Sequence, residues 1–310
     1  MQTLIIDYRN LVKNLSYSIM SGSIACAYPT EPEEIAHRIM KRFFCIRAEY
    51  PEARIIIAND KPPYWRHSFL LDWYSKKGLE PVIYKGNRIG VSWPFQTDKT
   101  SMENLYSQML EHSANAIGAT VVQDKGLEAD DIWGILTQKL DGEIIGFSGD
   151  SDWRQCITKE KKIRVYDFTR DIMHYEPIDI RVKYLAGDSG DNIKGCTKFK
   201  KNGEPMKNGW GKDGAEKHIE ANPDTWHVGI DKDELDKNWA VTTLPCPAWD
   251  IDQAEADLLE ISVHYEATDE YWDRYGVTVN VRKSLQEKAN RDAFISRLRL
   301  FLNNKEEQNV

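Results

Sequence analysis

The chain has 310 residues, 41% of them hydrophobic and 29% charged, which is the composition of a globular protein with a substantial core. Its formal net charge of −8 argues against a uniformly basic nucleic-acid binder, although acids gathered in one pocket would leave basic patches elsewhere. Its five scattered cysteines, its lack of a signal-peptide pattern and its lack of a run of about 20 apolar residues predict a reduced, cytoplasmic protein without a membrane span.

Short apolar runs alternate with segments in which apolar residues recur every three or four positions. In chain order they predict a strand at 3–7, a helix at 32–50, strands at 53–60 and 80–84, a helix at 101–117, a strand at 119–122, a helix at 130–140, and strands at 143–150 and 163–168. Later helices are predicted at 253–265 and 289–302. Strands that alternate with helices indicate an α/β fold with a mostly parallel central sheet flanked by helices.

The character of the chain changes near residue 180. Residues 194–217 contain seven lysines, five glycines and only three acids. This composition predicts a loop-rich, basic segment followed by helices, so we expect a catalytic domain at 1–180 and a helical domain at 181–310. Backbone amides near glycines can approach phosphates closely, which favours a binding role over the alternative of an exposed, lysine-rich loop.

Carboxylates recur at or after the carboxyl ends of the predicted strands, where ligand sites of parallel sheets form. Seven share this pattern, namely Asp7, Asp60, Glu128, Asp130, Asp131, Asp150 and Asp152, and a further pair, Asp188 and Asp191, lies in GDSGDN. We expect all nine to converge on one end of the sheet. One such acid is commonly a helix cap or turn former, but two carboxylates ~4 Å apart in a poorly solvated cleft repel by several kcal/mol. A cluster therefore needs cations, and ligands that are all oxygen favour Mg²⁺ or Mn²⁺ over zinc. Two such ions suit displacement at phosphorus, which makes a phosphodiester the natural substrate.

Basic and aromatic residues are mixed in the segment 84–100. Lys85 and Arg88 precede Trp93 and Phe95 in this segment. Basic side chains interleaved with aromatic ones suit single-stranded nucleic acid, because unpaired bases stack on aromatic rings. A surface loop with two anchoring aromatics remains the alternative.

Taken in order, these motifs resemble those of the 5′ nucleases, also called flap endonucleases or 5′–3′ exonucleases, and most nearly the phage ribonuclease H type. The resemblance runs through about residues 3–265. The segments that carry it are IIDYRN, NDKPPYWR, YKGNR, EADD, SGDSDW and GDSGDNIKG. The acidic EADD, D-x-D and G-D-x-x-D-N motifs, in this order, carry most of its specificity.

The resemblance implies a role for each matched residue. Metal ligation is implied for Glu128, Asp130, Asp131, Asp150, Asp152, Asp188 and Asp191. Catalytic roles are implied for Asp7, Asp60, Lys85 and Arg88, and the last two would steer the scissile phosphate. Nucleic-acid contacts are implied for Arg66, Tyr84, Lys85, Arg88, Lys194, Lys198, Lys212 and Lys217.

The resemblance also implies a helical arch or clamp at about 84–116 and a helix–three-turn–helix-like element that grips duplex DNA and holds a potassium ion. The implied activity is that of a hydrolase with two Mg²⁺ ions, replaceable by Mn²⁺, which cuts DNA and RNA–DNA hybrids at 5′ ends or flaps. Such a protein would be a monomer in the host-cell cytoplasm that removes RNA primers from lagging-strand fragments during phage DNA replication.

Two segments depart from the family pattern. Residues 195–209 are inserted into the expected duplex-binding motif, between GDSGDNIKG and GWGKDGAEKHI. Residues from about 266 to 310 match no motif, and we expect them to dock a single-stranded DNA-binding protein.

Three alternatives share parts of the acidic pattern: a PIN-type single-strand endoribonuclease, a non-catalytic structure-specific DNA-binding protein and a metal-dependent phosphatase. The lysine-rich second half argues against the first and third. A non-catalytic protein would have no reason to keep a cluster of mutually repulsive carboxylates, which argues against the second.

Overall fold

The computed structural model describes residues 1–20, 31–89, 94–95, 97–200, 203–206 and 209–267. Within these residues a seven-stranded sheet runs through the centre of the molecule. Its strands are β1 (Gln2–Asp7), β2 (Arg54–Ala58), β3 (Thr120–Val122), β4 (Glu143–Phe147), β5 (Ile163–Asp167), β6 (Ile172–His174) and β9 (Val263–His264). A separate hairpin pairs β7 (Gly187–Asp188) with β8 (Ile193–Lys194).

The sheet has the strand order β6-β5-β4-β1-β2-β3-β9. Its five inner strands are parallel, and the short edge strands β6 and β9 are antiparallel to their neighbours. In the register of the centre, Asp7 lies opposite Ala58 of β2 and Ile6 lies opposite Phe147 of β4. The chain therefore leaves β1, β2 and β4 at the same end of the sheet, the end that holds their carboxyl termini.

Nine α-helices lie within the described residues. They are α1 (Tyr8–Met20), α2 (Glu31–Glu49), α3 (Trp65–Lys76), α4 (Lys99–Ile117), α5 (Ala129–Lys139), α6 (Arg181–Ala186), α7 (Lys212–Ala221), α8 (Lys232–Thr242) and α9 (Ile251–Ile261). Two 3-10 helices, Gly86–Arg88 and Ser151–Cys156, carry residues of the site. No helix in the described part of the chain has the length and apolar composition needed to cross a membrane.

Both faces of the sheet are covered. Successive side chains of β1 point to opposite faces, and the side chains on each face pack against helices. Leu4 and Ile6 pack in one core cluster with Phe43 of α2 and Tyr106 of α4. Ile5 packs on the other face, in a cluster that includes residues of α5 and α9. The strands are buried on both faces and therefore read as continuous apolar runs. The predicted α/β fold with a mostly parallel, helix-flanked sheet is confirmed.

One predicted strand is wrong. Residues 80–84 form no strand; their apolar side chains Val82 and Tyr84 pack on Leu70 and Tyr74 of α3. A short apolar run buries equally well against a helix, and its pattern does not distinguish the two outcomes.

Other predicted elements differ only at their ends. Strands predicted at 53–60 and 143–150 stop at Ala58 and Phe147, which leaves the acids beyond them in loops. The helix predicted at 253–265 ends at Ile261, and Val263–His264 joins the sheet instead. The helix predicted at 289–302 lies outside the described residues, and the boundary near residue 180 stays a prediction.

The lysine-rich region folds around a small core of its own. Leu185 of α6 packs with Ala215 and Ile219 of α7. Within the inserted segment 195–209, Met206 N donates to Lys198 O at 2.7 Å, so the chain doubles back on itself. Residues 201, 202, 207 and 208 of this segment lie outside the described part.

Candidate active site

The first group of carboxylates gathers where β1, β2 and β4 end. Asp7 closes β1 and is only 5% exposed, while Asp60 and Asp150 follow β2 and β4. Ser148 Oγ donates to Asp7 Oδ2 at 2.7 Å. Burial, together with the charges of Asp60 and Asp150, raises the pKa of Asp7 to about 8. These acids therefore lie close enough to oppose one another's ionisation.

The second group is carried by the first turn of α5. Asp131 Oδ2 accepts a hydrogen bond from Glu128 N at 3.0 Å, which caps the helix start. Asp60 Oδ1 accepts from Ala129 N at 2.8 Å and so ties the β2 loop to the same helix end. Burial and the charge of Asp150 raise the pKa of Asp130. The start of α5 thus joins the cluster at the sheet edge.

Asp131 forms a buried ion pair with Arg66 of α3. Arg66 Nη2 lies 2.7 Å from Asp131 Oδ1, and Arg66 Nη1 lies 2.9 Å from both Asp131 Oδ2 and Glu128 Oε2. Asp131 is completely buried and Arg66 is 3% exposed. Asp131 therefore differs from the other expected metal ligands, because both of its oxygens are engaged by Arg66. Arg66 likewise differs from the other expected DNA contacts, because it is buried in this ion pair. Two such buried charges chiefly satisfy each other.

Tyr84 and Lys85 bring the loop after α3 onto the acids. The Tyr84 hydroxyl lies 2.6 Å from Glu128 Oε2 and 2.8 Å from Asp191 Oδ2. Lys85 Nζ pairs with Glu128 Oε1, and Lys85 N donates to the Asp191 backbone oxygen at 2.8 Å. Lys85 adopts a left-handed φ of 55°, which turns the chain into the short 3-10 helix that presents Arg88. Arg88 Nη2 in turn lies 2.7 Å from Asp191 Oδ1.

Lys183 is a site residue that the sequence reasoning missed. Its Nζ lies 2.6 Å from the carboxylate of Asp152 and also pairs with Asp188. Burial raises the pKa of Asp152 to about 6, even though the charge of Lys183 acts in the opposite direction. The signal available in the sequence was the spacing of Lys183, which lies five residues before Asp188 of the GDSGDN motif.

One of the other predicted nucleic-acid contacts, Lys212, lines an open groove. It has a volume of about 820 Å³ and lies between the 3-10 helix Ser151–Cys156, α6 and the start of α7. Asp188 lines one part of it and Lys212 another, so the groove leads from the carboxylates to the basic region. Lys194 and Lys217 are exposed, and Lys198 Nζ lies 4.4 Å from the Trp210 ring centre.

The mixed basic and aromatic segment is only partly described. Trp93 lies outside the described residues, as do 90–92 and 96, so the arch predicted at 84–116 stays a prediction. Phe95 is 7% exposed and its ring centre lies 5.3 Å from that of Tyr17. This burial favours the alternative interpretation of Phe95 as an anchoring aromatic.

The donor chemistry of the cluster fits hard divalent cations. Over the described residues no three acidic, histidine or cysteine side chains are already arranged to hold a metal ion. Lysine ammonium groups lie between the acids instead, at Asp152 and Asp188 and at Glu128. Burial first, and the charges of neighbouring acids second, raise the pKa values of Asp7 and Asp130, and a bound cation would favour the ionised form of both groups. Oxygen-only donors favour Mg²⁺ or Mn²⁺.

Comparison with known structures supports the same fold. The chain is similar to the 5′-exonuclease of bacteriophage T5 solved with bound zinc, with a TM-score of 0.54 and 18% identity over 84% of this chain and 99% of that one. A flap endonuclease variant of bacteriophage T5 in a complex with DNA and metal ions gives a TM-score of 0.55 at the same identity and coverage. A comparison with curated protein sequences finds no match.

A family model covers more than half of the chain. It describes the N-terminal, resolvase-like domain of 5′-3′ exonucleases and matches residues 2–185. This span contains β1 to β6, the predicted site carboxylates from Asp7 to Asp152, and the basic residues Arg66, Lys85 and Lys183 that pair with acids of the site. The chain therefore belongs to the 5′–3′ exonuclease family.

Proposed function

We propose that the protein is a Mg²⁺-dependent 5′ nuclease that hydrolyses phosphodiesters at 5′ ends or flaps of DNA and RNA–DNA duplexes. The observation that carries this proposal is the meeting of acids from β1, β2, β4 and α5 at one sheet edge, where burial and mutual charge raise the pKa of Asp7 and Asp130. The bacteriophage T5 flap endonuclease structure with DNA and metal ions supports it by similarity of fold.

We assign direct metal contact first to the acids that form no ion pair with a lysine or arginine within the described residues. These are Asp7, Asp60, Asp130 and Asp150. Asp152, Asp188, Asp191 and Glu128 complete the set, since their partners Lys183, Lys85 and Arg88 can exchange for cations at the rim. Two bound Mg²⁺ ions would supply Lewis-acid activation of water and of the scissile phosphate.

The basic side chains have two different roles in this proposal. Arg88, with 56% of its side chain exposed, and Lys85 lie on one turn at the rim and orient the scissile phosphate. Arg66 is enclosed and holds Glu128 in place through the shared ion pair with Asp131. Asp131 therefore acts on the metal centre through Arg66 and the helix start.

The groove and the lysines beyond it form the proposed duplex-binding surface. Lys194, Lys198, Lys212 and Lys217 would contact phosphates, and a K⁺ ion would bind near the start of α7. In this assignment residues 1–180 form the catalytic domain, with an arch at 84–116, and residues 181–310 form the DNA-binding domain. The protein acts as a monomer that removes RNA primers during phage DNA replication, and residues 266–310 dock a single-stranded DNA-binding protein.

A cleavage assay tests this function. A DNA 5′ flap, an RNA-primed duplex and a single-stranded RNA without a free 5′ end are each incubated with Mg²⁺ or with EDTA. We expect the first two to be cut, and only with Mg²⁺. Cutting of the third substrate alone would support the PIN-type endoribonuclease, and cutting in EDTA would contradict the metal-dependent mechanism.

A pair of matched variants tests the site. Asp150→Asn should abolish cutting while DNA affinity stays within a few-fold of the wild type. Asp72→Asn removes the same charge from an exposed position on α3, where Asp72 pairs with Lys76, and should cut normally. Near wild-type cutting by Asp150→Asn would overturn the assigned role.

A further inference from the structure

Two buried tryptophans stack beside the carboxylate cluster. The rings of Trp133 on α5 and Trp153 in the 3-10 helix Ser151–Cys156 lie 4.7 Å apart at an angle of 15°, and both residues are fully buried. Gly146 of β4 makes room for them, because a Cβ at this position would lie 2.8 Å from the Trp153 ring and 2.9 Å from the Trp133 ring. The sheet is thus shaped to hold this stack.

The tryptophan stack is hydrogen-bonded to one acid of the cluster, Asp130. Trp153 Nε1 donates to Asp130 Oδ1 at 2.6 Å, and Trp133 Nε1 donates to the Trp153 backbone oxygen at 2.8 Å. Asp130 and Trp133 lie one turn apart on α5, whereas Trp153 directly follows Asp152 in the chain. The two hydrogen bonds therefore join the two elements that carry Asp130, Asp150 and Asp152.

The kind of donor matters for what Asp130 can bind. An indole N–H donates a hydrogen bond but carries no charge, so it fixes one carboxylate oxygen without neutralising the group. Among the described residues, no hydrogen bond reaches Asp130 Oδ2. Asp131, in the same helical turn, is by contrast held on both oxygens by the guanidinium of Arg66. Asp130 is thus oriented without receiving a compensating positive charge.

We propose that Trp153 is a positioning residue of the metal centre, whose indole N–H fixes the Asp130 carboxylate so that its second oxygen is presented to a divalent cation. This inference rests on the proposed function, since it takes Asp130 as a ligand. Partners that orient a metal ligand from outside typically contribute about 10–100-fold to metal affinity.

The test measures metal affinity in the intact protein without nucleic acid. Mn²⁺ binding is titrated by the electron paramagnetic resonance signal of the free ion, for the wild type, Trp153→Phe and the control Trp133→Phe. Both variants lose one indole hydrogen bond, but only Trp153→Phe loses the bond to Asp130. We expect about 10-fold weaker Mn²⁺ binding in Trp153→Phe and a change below about two-fold in Trp133→Phe.

A second replacement separates the hydrogen bond from the packing. Benzothienylalanine at position 153 exchanges the N–H for sulfur in a ring of nearly the same shape, so it preserves the stack. It should weaken Mn²⁺ binding as Trp153→Phe does, while the melting temperature in EDTA stays close to that of the wild type. Wild-type Mn²⁺ affinity in this variant would overturn the inference, as would an equal loss in Trp133→Phe.

Asp130→Asn distinguishes failure of this inference from failure of the proposed function. If Asp130→Asn loses Mn²⁺ binding and the two position-153 variants do not, Asp130 is a ligand and Trp153 does not position it. If Asp130→Asn also binds Mn²⁺ like the wild type, the assigned metal centre is wrong and the inference is overturned with it.

Discussion

Removing the charge of Asp7 should stabilise the metal-free protein, and the effect should depend on pH. Burial and the charges of Asp60 and Asp150 raise the pKa of Asp7 from 3.8 to about 8. Between these two values the unfolded chain has lost the proton that the folded protein still holds, so stability falls as the pH rises through this window. Below about pH 4 the group is protonated in both states and costs nothing, and above about pH 8 the loss is complete.

The size of the effect follows from the same shift. At about 1.36 kcal/mol per pKa unit, a rise of roughly four units corresponds to an upper limit of about 5 kcal/mol at pH 8. Relaxation around a new charge reduces this value, and an amide in place of the carboxylate would accept less well from Ser148 or from the backbone N–H of Asn10. We therefore expect Asp7→Asn to raise the free energy of unfolding by about 1–3 kcal/mol at pH 8 and to have little effect at pH 5.

Urea unfolding in EDTA at pH 5 and pH 8, followed by tryptophan fluorescence, measures this difference. The exposed Asp72→Asn serves as the control and should follow the wild type at both pH values. Mg²⁺ should then stabilise the wild type and do so less in Asp7→Asn, because a ligand stabilises only the state that binds it. A pH dependence of Asp7→Asn parallel to that of the wild type would refute the reasoning.

Three further substitutions test other parts of the site. Asp131→Asn leaves the buried guanidinium of Arg66 without its main partner, so urea unfolding in EDTA should show a loss of about 3–5 kcal/mol, whereas Asp130→Asn should show none. Arg88→Ala should lower the single-turnover cleavage rate at least about 10-fold with DNA affinity nearly unchanged, as a rapid-quench assay with excess enzyme would measure. Lys212→Ala should reduce the slope of log affinity against log salt by about one in DNA-binding titrations, and an unchanged slope would exclude a phosphate contact.

The meeting of the acids at the carboxyl ends of the strands could be predicted, because it depends only on the local sequence around each strand. Each acid follows an apolar run, and parallel strands deliver their carboxyl ends to one edge whichever strands are neighbours. Asp7, Asp60 and Asp150 needed only this rule to be placed together. Helices α2, α4 and α5 could also be predicted from the sequence, since their apolar residues recur at helical spacing.

The partners of the acids could not be predicted in the same way. Lys183 reaches Asp152 from 31 positions away, and Arg66 reaches Asp131 from 65 positions away. Both contacts depend on the tertiary packing of α6 and α3, each of which lies against α8, and the spacing of residues in the sequence does not encode that packing. Residues 80–84 illustrate the same limit, because their apolar pattern does not reveal whether a strand or α3 will cover them.

The first turn of α5 explains how the fold can place three acids within four positions. Glu128 and Asp131 are neutralised by neighbouring cations, through Arg66 and Lys85. Among the residues that the structure describes, the one hydrogen-bond donor to the Asp130 carboxylate is the uncharged N–H of Trp153. The helix start thus confines its uncompensated charge to one side chain, the one whose pKa is raised by burial and by the charges of Asp150 and Asp7. Because the fold supplies counter-charges to the acids that support the site and none to this one, the largest cost of ionising a carboxylate in this helical turn falls where we propose that a divalent cation binds.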